Sequence, residues 1–280
     1  RSSRDTGIFL DFSLNNIILN NSISSNARGI LLSTSSNNNT IQGNNISFNT
    51  CSGIHLYINS NNTFFSNIAN SNNRAIFLES SSGNNVTSNI AESNQYGFYA
   101  ASSSNNALIS NTFKFNNVDG VYLDTSSNNV LSSNIASVNN VYGINSYLSS
   151  NNTFTNNTVS SNPSNSGIYF SSSSNNTLIS NTANSNAFYG FSIEASSNNV
   201  LINNTANSNN RAISLHSGSN NNTVINNNFS IYSTEAMRIT SSTGNLLKDQ
   251  PIGAYTLTSA GFAIENTSSG KIVFLNNTIT

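Results

Sequence analysis

Ser-Asn-Asn-Thr-Leu-Ile-Ser-Asn-Thr-Ala, residues 174–183, is one instance of a stretch that recurs along the whole chain. Its last Asn, Asn181, has counterparts at Asn21, Asn44, Asn67, Asn89, Asn111, Asn134, Asn157, Asn204 and Asn227. Gln250 takes the next place and Asn277 ends the series. A period near 23 residues is the signature of a repeat architecture. Three positions before this Asn stand Ile18, Ile41, Phe64, Val86, Leu108 and seven further apolar residues, ending at Phe274 after Leu247. Two positions after it stand Ile23, Ile46, Ala69, Ala91, Phe113 and their equivalents to Ile279. Apolar residues held in phase from end to end exclude the disordered chain that an Asn- and Ser-rich composition would otherwise permit.

A second segment reads Gly29-Ile30-Leu31-Leu32, Gly53-Ile54-His55-Leu56, Gly120-Val121-Tyr122-Leu123 and Gly190-Phe191-Ser192-Ile193, with Ala in the Gly place at Ala75, Ala212 and Ala236. Period-two alternation marks strands with one buried face. Acceptance of Ala points to a need for a small side chain more than for a positive φ. Ser-Ser-Asn-Asn turns, as at 149–152 and 173–176, separate the strands, and no repeat has room for a helix. Short strands and turns at this period imply stacked coils paired in parallel at ~4.8 Å per rung. An inward Asn column then hydrogen-bonds from rung to rung, as a buried amide must. Residues 1–280 are read as one such domain with an irregular insertion around 248–260, where Pro251 interrupts a longer repeat.

With these strings the chain resembles the right-handed parallel β-helix repeat proteins, and within them the NosD-like group and the Asn-rich surface proteins of methanogenic archaea. The resemblance implies an all-β, single-stranded parallel β-helix of about twelve rungs on an extracellular or cell-surface protein. It implies no single activity, because the group holds sugar-binding, sugar-cleaving and structural members.

Composition narrows the classes. Charged residues make up 7% of the chain and the net charge is −1, so no field draws nucleic acid. No run of 18 apolar residues offers a membrane span. One cysteine, Cys51, allows no internal disulfide. Neither terminus shows a cap sequence, which suggests a segment of a longer protein or head-to-tail stacking of copies.

Polysaccharide hydrolysis needs paired carboxylates. Asp11, Glu79, Asp124, Glu194 and Glu265 fall in one column after the Gly-Ile-x-Leu strand but never on adjacent rungs. Glu194 and His216 are one rung apart and could hydrogen-bond; Arg211 and Glu235 read as an exposed ion pair. No catalytic set, metal site or cofactor site is expected, and the copper link of some NosD-like proteins finds no ligand cluster. Two outward stripes remain as surfaces for a glycan or a second subunit: Phe77, Tyr99, Tyr122 and Tyr169 in the first strand, and Ile179, Ile202 and Ile225 in the second. Thirteen Asn-x-Ser/Thr sequons occur, and Asn61, Asn151, Asn175 and Asn221 are the turn positions where N-glycans could sit. The first reading is therefore a non-enzymatic surface-layer, sheath or filament subunit that associates with itself, head-to-tail and laterally. The second is a carbohydrate-binding or polysaccharide-cleaving β-helix using its tyrosine face.

Overall fold

The computed structural model describes residues 5–229, 232–252 and 264–279. Every paired strand is parallel to its neighbours, and two sheets of twelve strands run along the molecule. The first sheet begins with Thr6–Asp11 and ends with Ile264–Asn266; the second runs from Ile17–Leu19 to Val273–Leu275. A third, narrower ladder is built of short pairs such as Ile90–Glu92 with Thr112–Lys114 and of single bridges such as Ile135 to Thr158. No helix occurs among the described residues.

One coil shows how the sequence makes the shape. Asp119–Asp124 forms the first strand, and Val130–Ser132 the second. Between and after them the chain turns at Thr125, Asn128, Ser133 and Val138, whose φ values are 51°, 59°, 56° and 59°. Each is followed by a buried polar residue pointing inward: Ser126, Asn129, Asn134 and Asn139. A left-handed residue costs energy for any side chain with a Cβ. Here the inward partner holds the corner by bonding to the coil above and below. The Asn134 amide nitrogen donates to Leu108 O at 2.8 Å and to Asn157 Oδ1 at 3.0 Å. Its own Oδ1 accepts the Asn111 backbone N–H at 2.9 Å.

The expected ladder is therefore one of four. A second passes through Asn39, Asn62, Asn84, Asn106, Asn129, Asn152, Asn176, Asn199 and Asn222. A third passes through Asn49, Asn72, Asn94, Asn116, Asn139, Asn162 and Asn186. Serine hydroxyls make the fourth, from Ser81 through Ser103, Ser126, Ser149, Ser173 and Ser196 to Ser219. Between the ladders lies a dry core in which Leu108, Phe113, Leu131, Phe154, Leu178 and Phe191 are fully buried.

The small residue opening each first-sheet strand is required by close approach. A Cβ on Gly120 would come 2.7 Å from Gly143 O and 2.9 Å from Ala136 Cβ, with φ in the ordinary range. Of the insertion expected around 248–260, residues 248–252 stay in the coil. Leu246–Lys248 pairs in the second sheet, Pro251–Ile252 in the third ladder, and Gln250 takes the ladder position with Nε2 on Val224 O at 2.6 Å. Residues 253–260 lie outside the described residues.

Candidate functional site

Between Arg28 and Arg238 the chain carries eleven charged residues, and all but Glu92 and Lys114 belong to strands of the first sheet. Both histidines and Tyr57, Tyr96, Tyr99, Tyr122, Tyr147, Tyr169 and Tyr189 are in the same strands. The apolar columns of these strands point inward, so this chemistry collects on one outer face of a coil whose other faces are mainly Asn, Ser and Thr with exposed apolar residues such as Phe12, Phe48, Ile68 and Ile135. Uniform solubility would scatter the charges, so the one-sidedness marks this face as the candidate site.

Its spine is a run of stacked rings on successive rungs. His55 and Phe77 centroids are 4.6 Å apart, Phe77 and Tyr99 5.2 Å, and Tyr99 and Tyr122 4.9 Å, with interplanar angles of 22°, 35° and 24°. Tyr96 packs beside Tyr99 and Tyr122, and Tyr142 stacks on Tyr169 at 4.8 Å. Centroid spacings near the rung repeat mean that the rings face one another along the molecule. What they turn outward is edges and phenol hydroxyls. Phe77, expected as a contact residue, is only 7% exposed, because Arg74 and His55 cover it.

The phenols act as hydrogen-bond donors. Tyr99 donates to Asp124 Oδ2 at 3.3 Å and Tyr169 to Glu194 Oε2. Burial raises the pKa of Tyr96, Tyr99, Tyr122 and Tyr142, reinforced at Tyr99 and Tyr122 by Asp124, and moves Tyr169 to about 12. All five therefore stay protonated at neutral pH. Tyr96 and Tyr122 hydroxyls have no protein partner among the described residues.

Asp119 is the buried acid of the face, 2% exposed, and its Oδ1 and Oδ2 accept the Tyr142 N–H and the Asn145 side-chain amide, each at 3.1 Å. Desolvation outweighs these bonds and pushes its pKa up to about 7. Asp119 and Asp124 lie five residues apart on one strand, roughly 16 Å, beyond the separation of a glycosidase pair, ~5–10 Å.

Arg28 Nε donates to His55 Nδ1 at 3.2 Å, and His55 Nε2 lies 3.1 Å from Glu79 Oε2. Burial, then Arg28 and Arg74, lower the His55 pKa to about 3. The ring is therefore neutral, with its proton on Nε2 facing Glu79. Arg211 pairs with Glu235 as the spacing implies, but the two side chains are 16% and 12% exposed, so the expectation of an exposed pair is corrected. Tyr189 supplies part of the cover, with the Arg211 guanidinium 5.8 Å from its ring centre. Glu265 registers with Arg238, at 3.0 Å, two positions away from its expected place beside Thr240; the longer last repeat shifts the count. Glu194 and His216 are on adjacent rungs as read, yet Glu194 takes the Tyr169 hydroxyl and His216 Nε2 faces Ser192 Oγ at 3.3 Å.

Ile179, Ile202 and Ile225 pair in register on the second sheet and are half-buried, less open than a bare stripe. Asn61, Asn151, Asn175 and Asn221 are exposed at left-handed corners, with φ between 54° and 59°. Among the described residues no three His, Cys, Asp or Glu side chains come together as metal ligands, and no helix is long and apolar enough to cross a membrane.

A family model described as "Right handed beta helix region" matches residues 74–229 and 164–280, and one described as "Periplasmic copper-binding protein (NosD)" matches residues 1–119. No curated protein matches the chain by sequence. Among solved structures, the A-module of Azotobacter vinelandii mannuronan C-5 epimerase AlgE6 superposes with a TM-score of 0.78 at 12% identity, over 94% of this chain and 80% of that one. The periplasmic alginate epimerase AlgG gives 0.52 at 13% identity, over 94% and 77%. The catalytic unit of a GH87 α-1,3-glucanase from Streptomyces thermodiastaticus gives 0.60 at 12% identity, over 94% and 63%. At such identities the likeness is one of fold.

Proposed function

The chain belongs to the right-handed β-helix family, and on that premise we propose that it is a protein of the cell exterior or periplasm that binds an extended polysaccharide along the outer face of its first sheet. The observation that carries this is the collection on that one face of nine of the eleven charged residues between Arg28 and Arg238, both histidines and seven tyrosines. Solved relatives of the same fold include enzymes named for alginate and for α-1,3-glucan. A long flat face with a regular rung repeat suits a linear polymer better than a small ligand. Contacts run through hydroxyls and carboxylates at the rim of the stacked rings, since the ring faces are already occupied by one another.

Binding without cleavage is the reading the chemistry favours. The phenols of Tyr96, Tyr99, Tyr122, Tyr142 and Tyr169 are held protonated, which disfavours a tyrosinate base among them, and Asp119 and Asp124 stand too far apart to share a scissile bond. A structural subunit of a surface layer, sheath or filament ranks second, because it gives no reason for the one-sided chemistry.

Affinity electrophoresis against a panel of neutral and acidic polysaccharides tests the proposal. The protein is expected to be retarded by at least one of them. Tyr99→Ala with Tyr122→Ala should weaken that retardation at least tenfold, a loss of about 1.4 kcal/mol or more, while Ile202→Ser on the second sheet leaves it unchanged. Retardation by none of the panel, or equal loss in both variants, contradicts the face assignment.

A further inference from the structure

We infer that Arg74 is a carboxylate-reading group, and that the polysaccharide of this face is acidic, a polymer containing uronic acid residues. The inference rests on the glycan-binding reading above and specifies its ligand class.

The four arginines of the face are not alike. Arg211 and Arg238 each meet a glutamate on the following rung, Glu235 and Glu265. Arg74 meets none. Its guanidinium lies over Phe77 at 4.6 Å and near Tyr99 at 5.2 Å from the ring centres. No hydrogen bond or ion pair from its side chain exists among the described residues, and its Nε is buried without an acceptor. A guanidinium stacked on a ring uses its flat face and, with Nε buried, keeps the in-plane N–H donors of its two terminal Nη groups for a ligand. Those donors form the planar fork that fits a carboxylate in two-point fashion. The aromatic floor also fixes the fork in place, which lowers the entropy lost on binding.

The surroundings add a second cation and withhold neutralisation. Arg28, Ser52 and Arg74 are consecutive partners in the sheet register, which puts Arg28 two rungs, about 10 Å, from Arg74. Arg28 spends its Nε on a histidine that stays neutral, and the one carboxylate nearby, Glu79, takes that histidine's proton side. This part of the face therefore holds two arginines against one acid that is itself already bonded. A polyanion laid along the rungs would meet Arg28 and Arg74 in line, with the free Tyr96 hydroxyl on the rung beyond.

The full chain is to be titrated calorimetrically with polygalacturonate and polymannuronate, each beside its carboxyl-reduced, neutral product, and with dextran sulfate. The wild type should bind at least one polyuronate tenfold or more tightly than the reduced polymer, with affinity falling as salt rises. Arg74→Gln should remove that preference and leave binding of the reduced polymer as it was. Arg74→Lys, which keeps the charge and loses the fork, should fall between the two. Melting curves of both variants confirm the fold, and Arg28→Gln gives a second, smaller loss of the same sign.

Equal binding of acidic and reduced polymers, or an Arg74→Gln loss common to both, would overturn the carboxylate assignment and leave the glycan face standing. Binding of dextran sulfate alone would also overturn it, in favour of sulfate esters. Binding of no polymer would take down both readings together.

Discussion

Replacing Asn134 by alanine is expected to destabilise the protein by on the order of 4–6 kcal/mol, among the largest effects of any single change in the coil. The substitution strands three groups at once. The Asn111 backbone N–H loses its acceptor, one amide hydrogen of Asn111 loses the same oxygen, and Leu108 O loses its donor. Each buried polar group left unpaired costs about 1–3 kcal/mol, and the core there admits no water-sized relief, since Leu108, Leu131 and Asn134 are fully buried. Because each coil contacts only its neighbours, the damage concentrates at one interface of the stack. Urea unfolding measures it. Asn61→Gly is the control: Asn61 is exposed at a left-handed corner, and Gly83 occupies the equivalent corner of the next rung. That change should cost less than about 1 kcal/mol. Similar losses at both sites would mean that the ladder does not hold the coils together.

Stability should fall as pH rises from about 4 to about 7, and Asp119 is the reason. Its folded pKa of about 7 stands above the ordinary 3.8, so across that window the folded protein binds a proton that the unfolded chain has released. Below the lower value both states are protonated and the group is neutral in effect; above the upper value the buried carboxylate opposes folding in full. At about 1.36 kcal/mol per unit, the penalty at pH 8 is on the order of 2–4 kcal/mol. Asp119→Asn removes it. The Asn145 Oδ1, buried with no partner, can turn to accept the new amide, and the Tyr142 N–H keeps an acceptor. Melting temperature against pH from 4 to 9 should therefore slope down for the wild type and run flatter for the variant, which is the more stable above pH 7. Parallel curves would show that Asp119 ionises freely.

The fold was legible because its determinants are periodic. Apolar columns three before and two after Asn134 and its equivalents pin the register, and a one-residue slip would turn each column to solvent. The other two Asn ladders were as readable. Asn129, Asn134 and Asn139 stand five apart in one coil, as do Asn106, Asn111 and Asn116 in the coil before, and that spacing places an inward amide at each of three corners. The serine ladder was hidden, since serine is as common on exposed turns as at the buried corner.

The site was legible in part. Columns placed Arg211 beside Glu235 and Glu194 beside His216, because sheet register is a property of the repeat. Which neighbour a side chain then chooses depends on rotamers and on adjoining columns: Glu194 turns to Tyr169, and Arg28 reaches His55 across a rung and a column. Glu265 was misplaced because the longest repeat precedes it, where counting from the Asn fails. Burial of Phe77 by Arg74 likewise follows from geometry between columns, which spacing along the chain does not encode.

Hydroxyl-radical footprinting of the protein with and without its tightest-binding polysaccharide tests the central claim most directly, since oxidation reports side chains on each face separately. Protection of Tyr96, Tyr99, Tyr122 and Tyr169, with Ile179, Ile202 and Ile225 oxidised as before, is the predicted result. Protection of the isoleucines instead, or no difference on the tyrosines, would contradict a glycan face on the first sheet.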